Sequence, residues 1–291
     1  AAIHNVYAPR PYRYRIEVAG QRRRTKAQDA RRKATKAQDK YNLRSTCVLL
    51  LYKFTQLRKN LMKSGIIYNG PSLLDGKPIV VIATYSTRNT KTGSVVQTYI
   101  LRSDVNPLEA SKTGEDFSIC GDCTMRGEVN DDPKRKQAKG RRCYVNLGQG
   151  VLIVYKAFLR GVYPTADNSA DRKTIGRDRF VRIGTYGDPA AVPAGVWTDL
   201  MAECTTYTAY SHQSGWRPDI AMQSADSRAE AIAHWKAGRR TFRVIADIGD
   251  LDKANEALCP ASKEAGRRVQ CTACKLCKGS SLGKSIAIVE H

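Results

Sequence analysis

Phe180-Val181-Arg182-Ile183-Gly184-Thr185-Tyr186-Gly187-Asp188-Pro189 is the stretch whose reading decides the fold. Residues 180–186 are rich in β-branched and aromatic side chains and predict a strand, which Gly187-Asp188-Pro189 breaks. Toward the C-terminus, residues 196–204 predict a helix, 206–210 a strand and 220–223 a short strand. Ser227 and Glu230 stand at capping-box spacing and open a helix that Gly238 ends. Residues 241–246 predict the next strand. Strands alternating with helices require right-handed crossovers, so the expected domain is α/β with a parallel sheet, barrel-like or a half-barrel. In such folds chemistry collects at the carboxyl ends of the strands. Here those ends carry Asp188, then Ser211, His212 and Gln213, then Ser224 and Asp226, then Asp247. Asp188 and His212 are the candidate catalytic residues. Each has a structural alternative: Asp188 as the cap of the segment after it, His212 as a buried hydrogen-bonding side chain. Asp226 reads as part of the helix-start signal.

Toward the N-terminus, residues 79–85 and 95–101 are β-branched runs around a polar stretch ending in Thr92-Gly93, which predicts a hairpin. Residues 129–142 form a polar, Lys/Arg-rich loop. Residues 151–163 are apolar around much of a helical circumference and predict a buried helix, with Pro164 just past its end.

Nine cysteines without a secretion signal argue for metal or redox use of thiols and against a disulfide framework. One set is Cys259-Pro260 followed by Cys271-x-x-Cys274-x-x-Cys277. Three cysteines at a strict interval suit the corners of an iron–sulfur cubane, as in the C-x2-C-x2-C run of bacterial ferredoxins, though here the Cys-Pro comes first. A 4Fe-4S cluster is therefore favoured, and a structural four-cysteine zinc site is the competitor. The second set is Cys120-x-x-Cys123 with Cys143. Three thiolates leave one position of a metal or cluster open to substrate, or closed by His212 or Cys204. A single mixed cluster drawing on both sets is a further alternative. Cys204 otherwise reads as a small buried hydrophobe. Residues 279–285 read G-x-x-x-G-K-S, one position short of a phosphate loop and placed after cysteines instead of a strand, so that motif is rejected.

Charge is uneven along the chain, whose net value is +22 over 291 residues. Residues 1–61 carry 16 Lys and Arg against three acids, and the remaining 230 carry 33 against 24. This basic leader includes Cys47 and the near-repeat Thr25-Lys26-Ala27-Gln28-Asp29 and Thr35-Lys36-Ala37-Gln38-Asp39. A short basic helix is expected there, without apolar surface to dock it. The leader is expected to be disordered, or upstream read-through outside the natural protein, since the chain opens on alanine and Met62 precedes the first globular pattern. One α/β metal-binding domain is expected over residues 62–291. The basic surface suits nucleic acid through counterion release. No apolar run is long enough to span a bilayer and no signal-peptide pattern is present, so a cytoplasmic protein without membrane contact is expected.

Two resemblances follow from these residues. Cys143-Tyr144 after an upstream C-x-x-C, the run from Arg182 through Pro189, Tyr207-Thr208-Ala209-Tyr210-Ser211-His212 and the closing cysteines together resemble phage and prophage proteins of the gene-product-88-like kind, over roughly residues 66–291. That family carries no activity to transfer. Tyr186-Gly187-Asp188-Pro189 before a helix, with a three-cysteine site, is more distantly similar to radical S-adenosylmethionine enzymes. That likeness implies an α/β barrel, an open 4Fe-4S cluster on Cys120, Cys123 and Cys143, and S-adenosylmethionine as a ligand. The family's C-x3-C-x2-C spacing is not met. Two functions are thus expected to compete: an iron–sulfur, radical-type enzyme, and a zinc-stabilised nucleic-acid-binding protein without catalysis.

Overall fold

The computed structural model describes residues 28–38, 40–42, 62–86, 92–266, 269–279 and 283–290. It divides into two compact units, Ala1–Asn60 and Leu61–His291. In the first, residues 28–38 and 40–42 are helical (α1) and exposed throughout, as their Ala/Lys/Gln/Arg composition and want of an apolar face dictate. Cys47 and the rest of the leader lie outside the described residues.

The second unit is mixed α/β. Its strands are β1 (Gly65–Pro71), β2 (Pro78–Ser86), β3 (Val95–Arg102), β4 (Phe180–Tyr186), β5 (Thr206–Thr208), β6 (Tyr210–Ser211), β7 (Met222–Ala225), β8 (Thr241–Ile245), β9 (Glu256–Leu258) and β10 (Ser285–Val289). They form two five-stranded sheets, ordered β1-β2-β3-β4-β5 and β6-β7-β8-β10-β9. The predicted hairpin is present: β2 and β3 pair antiparallel from Ile79↔Arg102 to Ser86↔Val95. From β3 onward every pairing is parallel. β5 and β6 are separated only by Ala209, so one extended stretch pairs with β4 at its start and with β7 at its end. This corner joins the two sheets, and no pairing among the described strands closes them into a barrel.

The core is what these strands bury. Ile79, Val80, Val81, Ile82 and Ala83 are all inaccessible, so β2 is covered on both faces and reads as a continuous apolar run. Between the strands lie α2 (Pro107–Thr113), α3 (Phe117–Cys120), α4 (Leu152–Leu159), α5 (Ser169–Gly176), α6 (Ala194–Met201), α7 (Arg228–Lys236) and α8 (Cys271–Cys274). α6 inserts Val196, Trp197 and Leu200 into the core, and the Trp197 indole donates to the Pro189 carbonyl at 2.9 Å. α5 crosses α6 at Gly176, where a Cβ would run into the Leu200 carbonyl oxygen. The capping box at Ser227 and Glu230 is present: the Ser227 hydroxyl accepts from Glu230 N at 3.1 Å, and the Glu230 carboxylate from Asp226 N at 2.7 Å.

Two expectations are corrected in detail. The helix expected over residues 151–163 is α4 alone and is buried on one side only. Val154, Tyr155 and Ala157 face inward, while Ile153 and Leu159 are 65% and 62% exposed. The strand expected at 220–223 starts at Met222, because Ile220 N and Ala221 N are held in a turn by the Arg217 carbonyl.

Candidate functional site: two cysteine-lined cavities

At the carboxyl end of β4, Gly187 takes φ +84°, and a Cβ there would sit 2.7 Å from Ile100 Cβ. Only glycine permits this close turn against β3. The turn delivers Asp188, which is 6% exposed and acts as a brace. Its carboxylate accepts from Ala190 N at 2.9 Å, from the Ser211 hydroxyl at 2.8 Å and from His212 N at 2.7 Å. Its own N–H donates to the Ile119 carbonyl at 2.6 Å. One residue thus ties the end of β4 to β6 through its carboxylate and to α3, the helix that ends in Cys120, through its backbone N–H. Burial raises its pKa, and these hydrogen bonds oppose the rise. Asp188 is therefore both the cap and the organiser of the strand ends.

Cys120, Cys123 and Cys143 line a cavity of about 110 Å³ together with Asp188, His212 and Asp226. The Cys120-x-x-Cys123 turn is anchored by Arg126, whose guanidinium pairs with Asp116 at 2.8 Å and donates to the Gly121 carbonyl at 3.1 Å. Cys143 is placed by its N–H to the Met125 carbonyl, at 3.1 Å, and by Arg141 donating to the Cys143 and Val145 carbonyls. His212 Nε2 lies 3.7 Å from Cys123 Sγ and 3.4 Å from Asp226 Oδ1. Burial works to lower the His212 pKa, but its pairing with Asp226 and Cys123 prevails and raises it to about 10. Asp226, read from sequence as a helix-start residue, also accepts from the Thr124 hydroxyl at 2.6 Å and so belongs to this cluster. Asp247 does not; its carboxylate caps the turn at Gly249 N.

Cys259, Cys271, Cys274 and Cys277 line a second cavity of about 380 Å³. Cys259 follows the edge strand β9 and hangs from β10 through its N–H to the Ala287 carbonyl at 2.8 Å. Cys271 and Cys274 are the first and last residues of the single turn α8, which Lys275 ends in a left-handed conformation at φ +58°. Burial pushes the Cys277 thiol up to about 12, against the hydrogen bond with Tyr210. Arg182, from the middle of β4, also lines this cavity and donates to the Tyr144 hydroxyl at 2.6 Å. Met125, Tyr144, Tyr210, Phe242 and Val244 line both cavities, so the two cysteine sets share a wall.

Sequence spacing pointed to all seven cysteines, to Asp188 and to His212. It missed Asp116, Arg126, Arg182, Tyr186 and Tyr210. Of these, Tyr186 and Tyr210 had a legible signal, since both stand at strand ends next to a residue already singled out. Cys204 lines neither cavity and packs partly buried against the core. The phosphate-loop-like run at 279–285 falls partly outside the described residues. Among the described residues, no group of three or more His, Cys, Asp or Glu side chains is gathered so that it could hold a metal ion, and no helix is long and apolar enough to cross a membrane. In comparisons with known proteins, no family model, no curated protein and no solved structure matches this chain.

Proposed function

We propose that the chain is a cysteine-ligated metalloprotein with two metal sites, a phage-type protein of the gene-product-88-like kind. The C-terminal quartet holds a 4Fe-4S cluster, and Cys120, Cys123 and Cys143 hold a second centre with one position open for chemistry of the iron–sulfur enzyme type. The supporting observation is that cysteines from widely separated segments line two cavities that share one wall. A volume of about 380 Å³ beside Cys259, Cys271, Cys274 and Cys277 gives room for a multi-atom cluster, more than a single ion needs. The parallel strands running through the Ala209 corner are what a half-barrel requires, and the open centre then lies at their carboxyl ends. S-Adenosylmethionine, which the distant resemblance names for that position, is larger than a cavity of about 110 Å³ admits, so the open position takes a smaller ligand. Residues 62–291 are the working domain, and the cytoplasm is the compartment in which such thiols stay reduced.

A second reading rests on His212. Two ligands of one tetrahedral zinc, with sulfur at about 2.3 Å and nitrogen at about 2.0 Å, stand about 3.5 Å apart. The Cys123 to His212 distance of 3.7 Å is close to that, which favours a closed Cys3His zinc site. The exposed Lys134, Arg135 and Lys136 would then serve nucleic-acid binding without catalysis. Anaerobic purification with metal and sulfide analysis separates the two. Iron with acid-labile sulfide and a brown colour is expected. A colourless protein carrying zinc alone overturns the iron–sulfur reading in favour of the second.

A further inference from the structure

The cavity beside Cys120, Cys123 and Cys143 has more polar capacity than the protein itself uses. Thr185 Oγ1 and Tyr186 Oη are buried without a hydrogen-bond partner, Asp226 Oδ1 is buried with only His212 Nε2 at 3.4 Å and so keeps a lone pair free, and all three residues line the cavity. Thr185 and Tyr186 are 9% and 4% exposed, so bulk water does not satisfy them. Buried hydroxyls left unpaired are costly, and native proteins pair nearly all of them. These three atoms therefore describe the shape of a missing partner.

The charged groups are engaged elsewhere. Arg126 is held by Asp116 and by the Gly114 and Gly121 carbonyls. Arg141 is held by the Cys143 and Val145 carbonyls. Asp188 accepts three hydrogen bonds, and His212 faces Asp226. Each of these side chains is thus already engaged by a hydrogen bond or an ion pair within the protein, and none is left to meet a charged ligand. Its other walls, including Met125, Val145, Phe242 and Val244, are apolar. At about 110 Å³ it is smaller than the engineered cavity of about 150 Å³ that admits benzene.

We propose that this cavity binds a small uncharged molecule carrying an amide or a comparable donor–acceptor pair. Its acceptor takes the Tyr186 and Thr185 hydroxyls, and its N–H or O–H donates to Asp226 Oδ1, which can only accept. The site adjoins the open position of the proposed metal centre but does not need the metal, because none of its three contacts comes from a thiol.

The test uses three probes of one shape and different charge: acetamide, acetate and acetamidinium. Binding to the full chain is read by saturation-transfer NMR, with metal content and melting temperature measured on the same samples. Acetamide is expected to bind best of the three. Tyr186→Phe should weaken it about tenfold, the worth of one hydrogen bond, at unchanged metal content and without lowering the melting temperature of the ligand-free protein. Thr185→Val makes the same demand should Tyr186→Phe fail to fold. Acetate or acetamidinium binding as well as acetamide overturns the inference, as does acetamide binding that is undetectable or indifferent to a folded variant. Protein that binds acetamide but carries no metal sinks the proposed function and leaves this inference standing.

Discussion

Glu256→Gln removes one charge from the strand that leads into Cys259. Glu256 lies on β9, which among the described strands pairs only with β10, and its side chain is fully buried. Its carboxylate accepts from Arg243 Nε at 2.8 Å, from Arg243 Nη2 at 2.6 Å and from Asp252 N at 3.0 Å. Arg243 Nη2 also donates to the Asp250 carbonyl at 2.8 Å. The pair therefore pins an edge strand to β8 across the intervening β10. Glutamine keeps the shape but takes away the paired charge from the Arg243 guanidinium, 6% exposed, leaving it only the weaker fields of Asp250 and Asp252. Breaking a buried pair from one side costs about 3–5 kcal/mol. At about 2–4 °C per kcal/mol for a domain of this size, the melting temperature should fall by about 6–20 °C. Replacing both partners, Arg243→Met with Glu256→Leu, buries no charge and should cost far less than the single change. Urea unfolding followed by tryptophan fluorescence measures all three variants. A loss below about 1 kcal/mol for Glu256→Gln, or a double variant as unstable as the single one, would refute this account of how Cys259 is held.

Three shorter tests bear on the metal sites and the leader. Cys274→Ala should lower metal content and melting temperature together, because thiolate–metal binding energy is also folding energy; unchanged stoichiometry contradicts a quartet site. His212→Ala should leave metal bound if the three-cysteine centre is open, and should cost metal affinity about 10-fold or more if His212 closes it; metal titration decides. A chain beginning at Met62 should fold with full metal content, and any DNA binding that it retains should weaken steeply with added salt. Insolubility of that chain would show that the leader belongs to the domain.

How far the sequence carried depends on the range of the forces involved. Turn and cap signals are local, so Ser227 with Glu230, the hairpin over β2 and β3, and the break at Gly187 were legible from a few residues each. The parallel order also followed, because alternation constrains topology. The division into two sheets did not. It turns on Ala209, whose N–H approaches the Cys277 carbonyl at 3.4 Å and whose carbonyl accepts from Met222 N at 3.0 Å, partners far along the chain. Asp226 shows the same limit: its place just before Ser227 and Glu230 identified a helix start correctly and hid its second role beside His212. Arg126 and Arg182 sat among many basic residues, and nothing in composition separates a guanidinium that anchors a cysteine turn from one in solvent.

The geometry at His212 also bears on whether any of these cysteines acts as a nucleophile. Cys123, His212 and Asp226 contain the residue types of a cysteine triad. In such a triad the acid grips one ring nitrogen and the nucleophile the other, so that the ring relays a proton between them. Here Cys123 Sγ and Asp226 Oδ1 both approach Nε2, so the acid competes with the thiol for one nitrogen. Burial, reinforced by Asp116 and the neighbouring thiols, holds Cys120 well above the ordinary thiol range, and burial also raises Cys143. Thiols so buried stay protonated at neutral pH and react slowly. What would ionise them together is a cation set among the sulfurs, since metal binding displaces their protons. Iodoacetamide at neutral pH should therefore label Cys120 and Cys143 slowly in metal-free protein, and not at all once metal is bound. Rapid, stoichiometric alkylation of Cys123 that His212→Ala abolishes would instead identify a catalytic thiolate, and the metal reading of that cavity would fall.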